Sequence, residues 1–287
     1  MVHALDPTTG EQRWEWSVEA ELGGSAVIED GMCIVTTVSL DHVAVHALDA
    51  ATGTKQWSFP VNDGWLHNSP TIYDGAVYLS SGRQQLAAVA LNDGSVRWRA
   101  PTQADDTRPV VDAYRGLVYV GHPRGVEAFD LNDDGTRVWD FVTTEPGTAN
   151  EDFLGVLDEP VVLPDQVAVR THDTSDSSLG DVGNCYGVDP ETGSKVWKLS
   201  GGRPASSIIG AGGQIILRRA ESTADIDFIS GVEPGTGSLV AVQPDGSVAW
   251  ERQGLWKPLS VGTNRLLAYR SSLSTRSGGF EIASFSA

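Results

Sequence analysis

The sequence predicts an all-β fold, a β-propeller of four-stranded antiparallel blades, and three observations predict it. A tryptophan-ended segment recurs along the 287 residues, the recurrences lie one blade apart, and each follows two further apolar stretches joined by a turn. The segments are ALDPTTGEQRW (Ala4 to Trp14), ALDAATGTKQW (Ala47 to Trp57), ALNDGSVRW (Ala90 to Trp98), FDLNDDGTRVW (Phe129 to Trp139), GVDPETGSKVW (Gly187 to Trp197) and AVQPDGSVAW (Ala241 to Trp250). Their tryptophans are 43, 41, 41, 58 and 53 residues apart. One blade needs about 40–45 residues, so the last two intervals hold insertions of roughly 10 to 17 residues.

Each element of the segment has a physical reason. The residues before the acid alternate as a strand; Asp or Asn with Gly then makes a tight turn, the side chain capping backbone N–H groups and Gly supplying φ > 0. The closing strand ends in Trp, whose flat face suits packing between neighbouring blades. Asp6, Trp14, Asp49, Trp57, Trp98, Trp139, Asp189, Trp197 and Trp250 are therefore read as structural. Upstream, SPTIYDG with AVYLSSG and RPVVDAYRG with LVYVGHP give two more strands joined by a Gly turn, making strands A to D of one blade.

The chain opens at strand C, and SVGTNRLLAYR with GGFEIASFSA after Trp250 read as strands A, B and C of a last blade. The expectation is a single domain over residues 1–287 with five complete blades. A sixth forms if the N-terminal pair completes the C-terminal sheet, and a seven-blade or eight-blade parent lacking its N-terminal residues is the rival.

Composition removes several partners. The chain carries 38 acidic and 20 basic residues, a formal charge of −18, and its 24 Asp, 16 Arg and 4 Lys show no basic cluster. Phosphate backbones need clustered Lys and Arg, so no nucleic acid is expected. Many Asp, few Lys and a preference for Arg resemble the surfaces of salt-in halophiles. No apolar run reaches the roughly 18–20 residues of a membrane span, so no direct insertion is expected, and MVHALDPTTG lacks the regions of a signal peptide. Cys33 lies in the apolar run MCIVTTV and reads as a buried thiol; with Cys185 so distant, no metal-ligand spacing results.

With these motifs, ALDAATGTKQW above all, the chain resembles the PQQ-repeat family of quinoprotein-like propellers, which includes the BamB-type outer-membrane assembly lipoproteins. The resemblance covers nearly the whole chain. It implies a non-catalytic scaffold that binds a protein or peptide partner, acts as a monomer and works outside the cytoplasmic membrane, with a cytoplasmic location as the alternative. The family's alcohol dehydrogenases carry a vicinal disulfide above pyrroloquinoline quinone, a tryptophan floor and a calcium site with a catalytic Asp. Here no cysteines are adjacent and neither Trp65 nor Trp256 matches the floor, so no cofactor is expected. A quinone-dependent oxidoreductase, or a sensor domain of a larger protein, is the alternative.

In a propeller the D-to-A and B-to-C connections share one face. The long segments, Thr143 to Asp152, Thr171 to Asn184, Ala220 to Gly237 and Ser271 to Gly279, all belong to it. Variable loops on a rigid scaffold are where function concentrates. Residues entering strand A line the channel mouth on that face: Trp65, His67, Asn68, Arg108, Glu159, Arg203, Trp256 and Lys257, with His122 and Arg124 in a B-to-C loop. They suit an anionic or aromatic ligand, or merely cap a solvated channel.

Metal and enzyme motifs are weaker. Asp173, Asp176, Asp181 and Asn184 offer oxygen ligands, yet the calcium-loop spacing with its Gly and closing Glu is absent, so no metal is expected. His42 and His46 sit on a strand about 13 Å apart at roughly 3.3 Å per residue, too far to chelate one ion. No GxSxG elbow occurs, and GAGGQ (Gly210 to Gln214) falls at an A-to-B turn, not at a phosphate loop. No catalytic residue is assigned.

Overall fold

The computed structural model describes residues 1–39, 43–61, 66–81, 85–104, 107–122, 125–143, 159–171, 183–202, 208–220, 237–254, 257–262, 265–272 and 279–286. Every regular element among them is a strand, and no helix is long and apolar enough to cross a membrane. A hairpin of β1 (Val2–Leu5) and β2 (Gln12–Trp16) comes first. It is followed by β3 (Glu21–Leu22), β4 (Val27–Glu29), β5 (Met32–Val38), β6 (Val43–Asp49) and β7 (Lys55–Val61), with β3 and β4 both pairing β5. The next sheet contains β8 (Thr71–Tyr73), β9 (Ala76–Ser81), β10 (Gln85–Ala90) and β11 (Val96–Pro101) in sequential order. The same order holds for β12 (Val110–Asp112), β13 (Leu117–His122), β14 (Gly125–Asp130) and β15 (Arg137–Val142).

Two further blades follow: β16 (Val161–Leu163), β17 (Gln166–Thr171), β18 (Gly183–Val188) and β19 (Lys195–Gly202), then β20 (Ile209–Ala211), β21 (Gln214–Ala220), β22 (Gly237–Val242) and β23 (Val248–Gln253). A single pairing, Gly202 with Arg219, joins them. A three-stranded sheet of β24 (Lys257–Gly262), β25 (Arg265–Ser272) and β26 (Gly279–Ser286) ends the series. The chain forms two compact units, Met1–His122 with Glu127–Val138 and Pro123–Val126 with Trp139–Ala287.

Turn chemistry sets the register. At the A–B hairpins Asp30 and Gly31 have φ of 48° and 76°, and Asp74 and Gly75 have 47° and 62°. Two successive positive φ values match the right-handed twist of the strands they join, which is why Asp-Gly stands there. At the C–D turns the Asp49 carboxylate accepts from the N–H groups of Ala51 (3.0 Å) and Thr52 (2.8 Å), and Asp189 repeats this with Glu191 and Thr192. The third blade departs from the rule, with Ala90 in the place of the acid. Its cap comes from Asp93, which accepts from the N–H of Ser95 at 2.9 Å.

The tryptophans then fasten the blades. In the first unit Trp14, Trp57 and Trp98 lie on Gly53, Gly94 and Gly135, each on the C–D turn of the blade after its own. A Cβ on Gly53 would stand 2.6 Å from the Trp14 ring, so only glycine admits the indole. In the second unit Trp139 covers Gly193 and Trp197 covers Gly246. The indole N–H groups of Trp14, Trp57 and Trp139 donate to the carbonyls of Ala50 (2.9 Å), Leu91 (2.8 Å) and Pro190 (3.2 Å). Trp197 uses the Gln166 side chain instead, at 3.0 Å. Trp57, Trp98, Trp139 and Trp197 are buried, whereas Trp250 is 37% exposed. Between the joints, the inward residues of facing strands close the core, as Ile34, Val45, Phe59, Leu79 and Val89 do in the first unit.

Candidate functional site

The strand A entries are built from close backbone contacts. In the first unit Gly23 approaches the Leu66 carbonyl and Gly24 the Asn68 backbone so closely that a Cβ would stand 2.1 and 2.7 Å from them. The Ser25 N–H donates to Ser69 Oγ at 2.8 Å. Asn68 Nδ2 donates to the Ser80 carbonyl at 3.0 Å, and in the next blade Thr107 Oγ1 donates to the Gly121 carbonyl at 2.5 Å. These are equivalent bonds from an entry residue back to strand B. Arg108 Nε donates to Thr71 Oγ1 at 3.2 Å, and that hydroxyl donates to the Pro109 carbonyl at 2.5 Å.

The expected mouth residues therefore divide. Asn68 and Arg108 hold the entry backbone in place. His67 is exposed, as is Glu159 in the second unit, while His122 is buried at the end of β13. Lys257 begins β24. Trp65, Arg124, Arg203 and Trp256 lie outside the described residues, as do His42 and the acidic candidates Asp173, Asp176 and Asp181. So do most residues of the four long connections. Cys33 and Cys185 are both buried and not joined in a disulfide, and burial pushes the Cys33 thiol up.

Sequence reasoning missed a second class of fastening. His46, Glu127 and Tyr186 occupy one position of strand C, each immediately before the small residue Ala47, Ala128 or Gly187. Glu127 is fully buried, accepting from the Thr102 hydroxyl, the Gln103 N–H (2.7 Å) and Arg137 Nη1 (2.8 Å). A carboxylate taken out of water needs all three donors. Beside it a cleft of about 520 Å³ opens between β11 and the turn before β15, lined by Arg99, Thr102, Phe129, Asp134 and Arg137 among others. In the second unit Tyr186 Oη shares a 2.9 Å hydrogen bond with Thr143 Oγ1 and packs on Phe141, their centroids 5.4 Å apart. The available signal was alignment of the repeats, which shows His3, His46, Glu127 and Tyr186 at a position that is Ala87 and Val240 elsewhere.

A family model described as outer membrane protein assembly factor BamB matches residues 1–175. Among solved structures the chain is similar to BamB from Moraxella catarrhalis, with a TM-score of 0.50 and 17% identity over 90% of this chain and 85% of that one. It is also similar to the quinohemoprotein alcohol dehydrogenase ADHIIG from Pseudomonas putida HK5, with a TM-score of 0.55 and 17% identity over 85% of this chain and 43% of that one. The computationally designed Ika8 protein matches with a TM-score of 0.61 and 12% identity, over 92% of this chain and 71% of that one. At these identities the likeness is one of fold, the β-propeller. No curated protein is similar to the chain in sequence at a significant level.

Proposed function

The chain belongs to the family of the outer membrane protein assembly factor BamB, and from that premise we propose that it is a non-catalytic propeller. In this reading it binds a protein or peptide through the face bearing its long connections, outside the cytoplasmic membrane. The observation that carries the reading is the division of labour along the blades. The repeated Asp, Gly and Trp residues are engaged in turns and joints at the C–D end. The four long connections, by contrast, are all D-to-A or B-to-C. A rigid frame with its variable segments gathered at one end is how binding loops are presented.

Photo-crosslinking with internal controls tests this. A photoreactive residue placed at Ser177 or Ser230 is expected to capture a polypeptide in extracts of the source cells, whereas one at Thr52 or Ser95 on C–D turns is not. Equal capture at both ends would sink the assignment of the face. Adding pyrroloquinoline quinone with calcium is expected to leave the melting temperature unchanged. A saturable rise at micromolar quinone would favour the oxidoreductase reading over the scaffold.

A further inference from the structure

We infer that His46 is an acid-sensitive latch holding the β1–β2 hairpin on the β5–β7 sheet. The hairpin is a two-stranded ribbon, which gains too little from its own hydrogen bonds to persist alone in water. It rests on the sheet through Val2, Trp14 and Trp16, packed with Cys33, Val35 and Leu48. One titratable ring stands in that apolar contact. His46 is 8% exposed, and its ring centroid lies 5.1 Å from that of Trp16.

Both ring nitrogens are engaged. Nε2 lies 2.9 Å from Thr37 Oγ1 and Nδ1 lies 2.8 Å from Ser58 Oγ. The Thr37 hydroxyl proton goes to the Ala44 carbonyl at 3.4 Å, so Thr37 accepts, Nε2 carries the ring proton and Nδ1 accepts from Ser58. An added proton must enter at Nδ1, displace the Ser58 hydroxyl proton and place a full charge beneath Trp16.

The surroundings offer that charge little. From β7 the Lys55 ammonium opposes it, and the Cys33 thiol on β5 is held neutral by burial. The Asp49 carboxylate at the end of β6 is taken by Thr52 and the N–H groups of its own turn. On β2 Arg13 and Glu15 are exposed, Arg13 pairing with Asp6 and Glu15 lying 3.8 Å from His3. Burial first, then Lys55, hold the imidazole below its ordinary 6.5. The docked hairpin therefore binds fewer protons than the released one: its grip is complete above about pH 6.5 and weakens as pH falls through the lowered value.

Hydrogen exchange of the full chain, corrected for the intrinsic pH dependence of exchange, reads the latch directly. Between about pH 7.5 and about pH 5, protection of Val2–Trp16 is expected to fall about tenfold while that of β9 and β10 holds. His46→Gln, which keeps uncharged partners for both hydroxyls, is expected to flatten the profile. Lys55→Gln, at an exposed site, is expected to move the loss to higher pH and shrink it. Protection that is independent of pH, that rises on acidification because Trp16 attracts the cation, or that falls equally in His46→Gln would overturn the latch.

Discussion

Two kinds of fastening hold neighbouring blades of the first unit, and they differ in almost every respect. The Trp57 joint is apolar apart from one N–H bond, lies at the turn end and recurs along the chain with the same partners, an indole and a turn glycine. The Glu127 cluster is charged, centred on a fully buried carboxylate, set in mid-strand, and differs from the bonds of His46 and Tyr186 at the same position. The contrast separates adhesion from individuality. An indole on a glycine turn fits any blade to any other, because all share the shape; a carboxylate that needs Thr102, Gln103 and Arg137 fits one neighbour only.

Removing an indole is expected to have the largest effect. Trp57→Ala leaves a void against Gly94 and should lower unfolding free energy by about 3–5 kcal/mol, measured by urea titration. Glu127→Ala should come next. It leaves the Thr102 hydroxyl and the Gln103 N–H without their acceptor, each costing about 1–3 kcal/mol, but it also removes the desolvation cost of a buried carboxylate, which offsets part of that loss, and the half-exposed Arg137 regains water. A loss as large as that of Trp57→Ala would break the distinction between the two joints. Gly94→Ala is smaller again, about 1–3 kcal/mol, from its φ of +72° and the overlap with the Trp57 ring.

The smallest expected effect comes from acid. Hydrogen bonds hold the carboxyls of the C–D turns below their ordinary 3.8: that of Asp49 through the Thr52 hydroxyl first, and that of Asp6 through Arg13 first. A lowered folded value means stability present above the ordinary value and lost as pH falls through the folded one. Melting temperature should therefore drop below about pH 3.8, and Asp49→Asn should blunt the drop. An acid limb unchanged by that substitution would place the sensitivity elsewhere.

The joints were legible in the sequence because they are repeated, and repetition at a fixed interval is the signal a single chain carries most strongly. The interval did not say which turn each indole covers; that follows only once strand D of one blade is seen lying on the next. The third blade shows how a motif conceals substitution of parts. The sequence aligned Ala90 with Ala47, but the structure puts Ala90 in the place of Asp49, and Asp93 caps the same turn from three residues on, because the turn needs an acceptor and not a particular position. Glu127 and His46 were harder to see. A charged or polar residue inside an apolar strand carries no period, and its meaning lies in partners 25 residues away (Thr102) or on an adjacent strand (Ser58).

The bonds of the expected mouth residues were not legible in the sequence. Asn68 donates to the Ser80 carbonyl on strand B and Arg108 to the Thr71 hydroxyl of the preceding blade, partners 12 and 37 residues away that no motif marks.

The division between a shared joint and individual keys is tested most directly by hydrogen exchange on Trp57→Ala. If each indole fastens one neighbour, protection should fall in β7 and in the turn from Asn92 to Ser95 that it covers, while β13 and the Glu127 cluster keep theirs, as nearest-neighbour stability in a repeat protein requires. A uniform loss across the first unit, or none at the turn, would contradict the account.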